Sequence, residues 1–348
     1  MMMLTFGRWL RTLTVLVMIW LITALICLLQ GTEPISLSDA VRIIGSRLAS
    51  GENGAMDLGK DTILLQVRLP RVLLAGLVGG TLAAVGVTLQ ALLRNPLADP
   101  FVIGISSGTA LGVVISLLLG LNVFYWGLTT LPLFGFFGGL LTLIFLYRLS
   151  EVHGKIFVQT LLLGGVILNA MLSAVIMFIT YMADANKVFG IVYWLMGNLG
   201  SLDMKALAAV AVYAFVGMAV LFGVARGLNL LALGDETAVT LGLDAERTKR
   251  IAFFASALLT GAVVSVSGLI SFVGIMIPHV LRMLIGSDHR LLLPASVLGG
   301  GIFLMAADAV ARSLIAPTEI PVGVITALCG GPFFLFLLWK GQMKFANP

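Results

Sequence analysis

Nine apolar runs, at about 13–30, 69–92, 104–122, 127–147, 157–182, 206–226, 251–286, 291–311 and 320–339, take up most of the chain. A helix of roughly 20 apolar residues crosses the hydrocarbon core of a bilayer, and within that core backbone polar groups must be satisfied inside the element. The pattern therefore reads as an all-α integral membrane protein. The run at 251–286 decides the count: it holds 36 residues, too many for one span, and Gly268, Gly274 and Pro278 interrupt it. Read as two spans, it brings the total to about ten and puts both termini on one side. Lys and Arg concentrate on the inner side of membranes. With the N-terminus inside, 13 of the 21 Lys and Arg are inner, including Arg94, Lys249, Arg282, Arg290, Lys340 and Lys344. The outer eight are Arg42, Arg47, Lys60, Arg68, Arg71, Lys187, Lys205 and Arg312, in the company of nine acids. A nine-span reading would strand Lys340 and Lys344 outside.

Composition agrees: 59% of the 348 residues are hydrophobic and 11% charged, with mean hydropathy +1.10, against about 25% charged in a soluble domain. Residues 1–348 form one transmembrane domain, with a polar outer loop at 31–67 holding one or two short amphipathic helices and an inner loop at 227–250. The net charge of +5 fits the inner-side excess, and no basic run interleaved with aromatics suggests nucleic acid. Cys27 and Cys329 lie in apolar runs, where a thiol acts as a small hydrophobe, so neither a disulfide nor a metal is expected. Arg8 and Arg11 before the run Leu13–Leu29 look like a signal peptide, but no small-x-small cleavage site follows. This run is kept as the first span.

Within 227–250, Asp235 is placed to cap a short helix, Glu236 to sit near its positive end and Gly242 to end it. Ala238 and Leu241 share one face of that helix. Fewer than two turns do not hold alone, so either a partner packs on it or it is an ordinary loop turn. Glycines spaced by four at Gly76/Gly80, Gly104/Gly108/Gly112 and Gly135/Gly139 let helix backbones approach closely in lipid. They predict tight packing within the chain rather than a dimer seam.

Chemistry is sparse. Gly54-Ala-Met-Asp-Leu-Gly59-Lys60-Asp61 nearly spells a phosphate-binding loop, but Asp61 stands where Ser or Thr would hold magnesium and no strand precedes it. The chain is expected not to hydrolyse ATP. His153, His279 and His289 lack metal-ligand spacing, and no catalytic set is apparent, so neither a catalytic residue nor a bound cofactor is expected. The first five spans have essentially no charge at their centres, where ion-coupled carriers keep relays. Asn169, in the fifth span, reads as an interhelical hydrogen bond or a contact with a passing substrate. Asp308 and Arg312, four apart near the outer end of the ninth span, either pair with each other or leave Arg312 for an external partner.

The chain resembles a known family at Gln66-Val-Arg68-Leu-Pro70-Arg71, at Leu89-Gln90-Ala-Leu-Leu-Arg94-Asn95-Pro96-Leu97-Ala98-Asp99-Pro100 and at Gly104-Ile-Ser-Ser-Gly108. The likeness continues through Trp194-Leu-Met-Gly197, Leu231-Ala-Leu-Gly234-x-x-x-Ala238-x-x-Leu241-Gly242, Phe272-Val-Gly274-Ile-Met-Ile-Pro278-His279-x-x-Arg282, Asp288-His289-Arg290 and Glu319-Ile-Pro321-Val-Gly323. These segments resemble the permeases for iron-siderophore complexes, haem and cobalamin, the membrane subunits of type II ABC importers. The resemblance runs from about residue 60 to the C-terminus. It implies the type II ABC importer permease fold with ten spans, a homodimer with a second copy of the chain around the translocation path, and a place in the bacterial or archaeal cytoplasmic membrane with both termini inside. It implies two cytoplasmic ATPase subunits, which carry the ATP and Mg, docked on the coupling loop through Leu231, Leu233, Gly234, Asp235, Glu236, Ala238, Leu241 and Gly242. An extracytoplasmic substrate-binding protein is implied to dock on Arg68, Arg71 and Arg312, although Arg68 and Arg71 also read as snorkelling residues that orient a span. By the same likeness Val158, Gln159 and Thr160 form a gate, and Asn169, Met171, Met177, Phe178 and Tyr181 line the path. The segment 148–160 departs from the family pattern. An ion-gradient-driven secondary carrier is the alternative reading.

Overall fold

The computed structural model describes residues 5–31, 33, 35–50, 58–101, 103–121, 124–125, 128–200 and 202–346. Gly54, with which the near-motif opens, lies outside them. Helices account for nearly all of the described chain: α1 (Phe6–Leu29), α2 (Leu37–Ser50), α3 (Leu58–Thr62), α4 (Leu69–Leu92), α5 (Ile105–Leu118), α6 (Thr130–Ser150), α7 (Val158–Met182), α8 (Ala185–Leu195), α9 (Met204–Gly223), α10 (Ala225–Leu231), α11 (Asp235–Thr240), α12 (Ala245–Ser267), α13 (Val273–Ile285), α14 (His289–Ser313) and α15 (Val322–Ala346). A π-helical turn, Ile63–Arg68, joins α3 to α4. The result is one rod from Gly59 to Leu92, 34 residues long and among the seven helices long and apolar enough to cross a membrane. The others are α1, α6, α7, α9, α12 and α14, and the shorter apolar helices α5, α13 and α15 complete the ten spans.

The long run at 251–286 does divide. Val264 O caps Gly268, whose φ is +68°, and Phe272, at φ +69°, starts α13. A β-carbon on Gly268 would come within 2.2 Å of Trp194 O, so only glycine lets the chain leave α12 against the end of α8.

α4 is the centre of the molecule, with nine-tenths of its spanning window buried, and it packs against α14, α12 and α13. Glycine sets the separations, and does so within the chain as the spacing predicts. A Cβ on Gly79 would meet Gly300 O at 2.2 Å, and one on Gly86 would meet Gly274 O at 1.8 Å. Gly108 and Gly112 of α5 likewise face the backbone of α6 at Gly138 and Phe134. Backbones this close gain dispersion over a long seam, which stands in for the hydrophobic effect that lipid cannot supply.

We call the side bearing the N-terminus the terminal face and the other the far face. On the terminal face lie the start of α1, the loop between α4 and α5, the α10–α11 segment and the start of α14. The ends of α7 and α14, with α2 and α8, lie on the far face. α2 supplies the amphipathic helix expected in 31–67: Ile35, Ala40 and Ile43 pack on Leu64, while Leu37 and Val41 face outward. Three elements were not foreseen: α8, an antiparallel strand pair, β1 (Phe124–Tyr125) with β2 (Leu128–Thr129), and an antiparallel hairpin, β3 (Glu151–Val152) with β4 (Lys155–Ile156), which turns at His153 and Gly154, both at positive φ. Cys27 and Cys329 are both free, and among the described residues no group of His, Cys, Asp and Glu is arranged to hold a metal.

Candidate coupling site

The terminal-face loop from 224 to 244 is built by two glycine turns, one close-packed glycine and one side-chain cap. α10 is anchored by Leu228 and Leu231, both buried, and Gly227 fits under Thr248 of α12. Gly234, at φ +112°, turns the chain and precedes α11, and Gly242, at φ +86°, turns it out again. Asp244 then caps α12 by accepting a hydrogen bond from Arg247 N at 2.9 Å.

Two expectations are corrected here. Asp235 does not cap α11: Gly234 holds the N-cap position, and Asp235 is the first residue of the helix. Its carboxylate instead reaches Lys249 Nζ at 2.6 Å and lies 3.6 Å from Arg94 Nη2. Nor do Ala238 and Leu241 share an outward face. Ala238 is fully buried, whereas Leu241 is 59% exposed, together with Leu233 at 61% and Val239 at 59%. One short helix of α-type spacing pins its small residue inward, while the turns at either end direct the large ones away. The large exposed apolar residues are thus Leu233, Val239 and Leu241; Val239 carries no cap or turn signal that would single it out in the sequence.

The segment is tied to the spans on both sides. Lys249, 3% exposed, bonds Asp235 and also Glu246 Oε1 at 3.0 Å. Glu246 Oε2 accepts from Ile156 N, in the hairpin of β3 and β4, at 3.0 Å. A polar chain therefore runs from α11 through α12 to Ile156, two residues before α7, at whose start Val158, Gln159 and Thr160 stand. On the other side, Asn229 of α10 accepts from His289 N at 2.9 Å and donates to Asp288 Oδ1 at 2.9 Å. Hydrogen bonds from Arg290 and Asn229 hold the Asp288 carboxyl well below the usual carboxylate range, so it stays an anion in the cell. Lys249→Met should break the first of these ties. Asp235 and Glu246 are partly exposed and resolvate, so the expected loss of stability is small, about 1 kcal/mol. Proteolysis or hydrogen exchange of 151–160 should rise, and unchanged protection there would show that the hairpin does not depend on the link.

The far-face arginines are inside the protein, not presented outward. Arg71 Nε contacts Asp308 Oδ1 at 3.0 Å and its Nη1 contacts Glu319 Oε2 at 2.8 Å. Arg312 pairs with the same Asp308 at 3.0 Å and reaches Cys27 O at 3.2 Å. Arg68 donates to Leu28 O, Leu29 O and Glu33 O. All three arginines are buried. A guanidinium left alone in a low-dielectric interior is costly, and these carboxylates and helix-end carbonyls offset that cost, Arg312 Nε doing so through its ion pair with Asp308 without an aligned hydrogen bond; snorkelling is likewise not what Arg68 and Arg71 do. Between Asp308 and Arg312, the four-residue pairing is the reading realised.

In the fifth span, Asn169 Oδ1 accepts a hydrogen bond from Ser107 Oγ, tying α7 to α5. Met171, Met177, Phe178 and Tyr181 are exposed on α7, as are Gln159 and Thr160 at its start. α7 has only 11% of its spanning window buried, so it presents most of its surface away from the bundle.

Comparison with known proteins settles the relationship. A family match, described as the FecCD transport family, covers residues 18–340. The chain belongs to the FecCD transport family. Among relatives of this FecCD protein, the cobalamin import system permease BtuC of Halobacterium salinarum is 43% identical over 284 residues, 82% of this chain and 75% of that one. The hemin transport system permease HmuU of Yersinia pestis is 43% identical over 283 residues, 80% of this chain and 83% of that one. The molybdate import system permease MolB of Haemophilus influenzae is 36% identical over 326 residues, covering 93% and 94%. A solved metal-chelate type ABC transporter in an inward-facing conformation matches with TM-score 0.82 and 33% identity, covering 95% of this FecCD chain and 99% of that one. The all-α architecture of ten spans is that of an ABC importer permease.

Proposed function

We propose that this FecCD permease carries a metal chelate across the cytoplasmic membrane, driven by ATP hydrolysed on separate subunits. The observation that carries the reading is α11. The six-residue helix and the turns flanking it expose Leu233, Val239 and Leu241, a surface that makes sense once an ATPase subunit covers it. Movement of α11 under that subunit is passed through Lys249 and Glu246 to the start of α7, which gives the gate reading of Val158, Gln159 and Thr160 a physical input. The exposed apolar face of α7 suits a second copy of the chain, with Asn169, Met177 and Phe178 beside the path. A smooth apolar lining with few charges grips a passing chelate weakly, leaving recognition to a binding protein.

We read the terminal face as cytoplasmic, a reading that its excess of Lys and Arg supports. For the binding protein, the buried arginines act as positioning residues: Arg71, Asp308 and Arg312 fix the end of α14 and the exposed segment 313–319, which becomes the docking surface. Ferric siderophore, haem and cobalamin are the substrate classes favoured by the resemblance. The molybdate relative adds a small oxyanion to the set to be tested.

The experiment is ATPase activity of the complex in lipid, formed with the ATPase encoded beside this chain and titrated with binding protein loaded in turn with each of these. Stimulation that requires the binding protein is expected, and uptake into vesicles then identifies the load. A folded complex without ATP hydrolysis, together with uptake that follows an ion gradient, would return the secondary-carrier reading.

A further inference from the structure

Beside the coupling segment, on the terminal face, lies an open cleft of about 490 Å³ bordered by Gln90, Arg94, Leu233, Arg282 and Arg290. Its charge is unbalanced. Arg290 is matched by Asp288, at 2.6 Å. Arg94 has only a 3.6 Å contact with Asp235, whose carboxylate is held more closely by Lys249. Arg282 has no carboxylate partner among the described residues. Its Nη2 donates to Gln90 Oε1 at 2.7 Å, and Gln90 in turn donates to Gly274 O at 3.3 Å.

That second bond fixes the amide: its nitrogen is engaged by the backbone of α13, so its oxygen must face Arg282. The guanidinium is thus steadied by a neutral acceptor, and the residue lines the cleft. A half-buried cation held by an amide is poorly compensated, because desolvation weakens its hydration and an amide returns only part of the loss. Planar, paired donors of this kind match a carboxylate.

We infer that this cleft is a socket for an acidic side chain of the docked ATPase subunit, seated on Arg282 and Arg94 while the apolar part of the contact covers Leu233 on its rim. The inference rests on the ATP-driven reading above and adds to it an ionic contact outside α11 itself. Continuity with the exposed apolar surface and the sign of the charge both favour a protein carboxylate over a small anion. The contact also has a use. Arg282 sits in the last turn of α13, so the socket would couple the ATPase to α13 and, through Gln90, to the end of α4, by a route separate from the Lys249 chain.

The test uses the full-length permease in nanodiscs and the ATPase subunit encoded beside it, with affinity measured across a salt series. Arg282→Gln is expected to weaken binding at least about tenfold at low salt and to flatten the salt dependence; Arg282→Lys, which keeps the charge without the fork, should recover part of the affinity. Binding by Arg282→Gln equal to wild type, with the same salt slope, overturns the socket. So does an Arg282→Gln defect that vanishes in nanodiscs without anionic lipid, which would show a lipid phosphate in the cleft. Should Arg282→Gln fail to give monodisperse protein, Arg94→Gln carries the same comparison, since its side chain is exposed and supports no buried contact. Wild-type permease that binds no ATPase subunit would remove the ATP-driven reading and the socket together, whereas wild-type binding with indifferent arginine variants removes the socket alone.

Discussion

Leu241→Asp should abolish substrate uptake driven by ATP while leaving a permease that inserts, folds and purifies as wild type. The side chain is 59% exposed at the end of α11, so in the permease alone an aspartate there is simply hydrated and costs little. Once an ATPase subunit covers Leu233, Val239 and Leu241, the same carboxylate has to give up its water inside an apolar contact with no cation opposite it. Burying an uncompensated charge costs several kcal/mol, enough to lower subunit affinity by two to three orders of magnitude at about 1.4 kcal/mol per tenfold. Ala238→Asp would be a poor substitute for this test. Ala238 is fully buried against the neighbouring helices, so a charge there would damage the fold and the docking at once. The measurement is uptake into vesicles together with subunit affinity, at equal permease content. Full uptake by Leu241→Asp would mean that α11 is not where force enters the membrane domain.

The distinction between Ala238 and Leu241 marks where the sequence stops being readable. Two residues three apart on a helix share a face, and that rule put them together. The rule holds inside a helix. Leu241 is the C-cap, where the helix has ended, and it stands exposed while Ala238, inside the helix, is buried. The same limit governs Asp235, which has the composition of an N-cap but follows a glycine whose φ of +112° makes the turn unaided. Spans were legible because apolar length has one meaning in a bilayer. The split at Gly268 was legible too, because no single helix needs 36 residues. Glycine spacing foretold close backbones but not which helices would meet: Gly79 with Gly300 and Gly86 with Gly274 are tertiary facts. α8 and the hairpin before α7 were hidden for another reason. They lie between the runs read as spans and are too short to cross a bilayer, α8 with eleven residues and the hairpin with strands of two.

The far-face arginines lie inside the protein rather than on its surface. Positive charge near a helix end reads as a surface feature, yet Arg71, Arg312 and Asp308 form a buried cluster in which the acid is only 1% exposed. Asp308→Ala should therefore be among the most destabilising single changes in the protein. It removes the one carboxylate shared by two guanidiniums: Arg71 keeps Glu319, but Arg312 is left with only Cys27 O. Removing one partner of a buried ion pair costs about 3–5 kcal/mol, mostly as the penalty of the charge left behind. The comparison that isolates this cause is the triple change Arg71→Met, Asp308→Leu and Arg312→Met, which deletes the cluster as a unit. It should be more stable than Asp308→Ala alone, because no uncompensated charge remains and α1, α4 and α14 can repack apolar groups. Glu319→Gln, by contrast, touches a half-exposed carboxylate and should cost under about 1 kcal/mol. Thermal unfolding in lipid of all three variants decides it. If Asp308→Ala melts with wild type, or the triple variant melts below it, the arginines are solvated in the working protein and regain a claim to contact a binding protein directly.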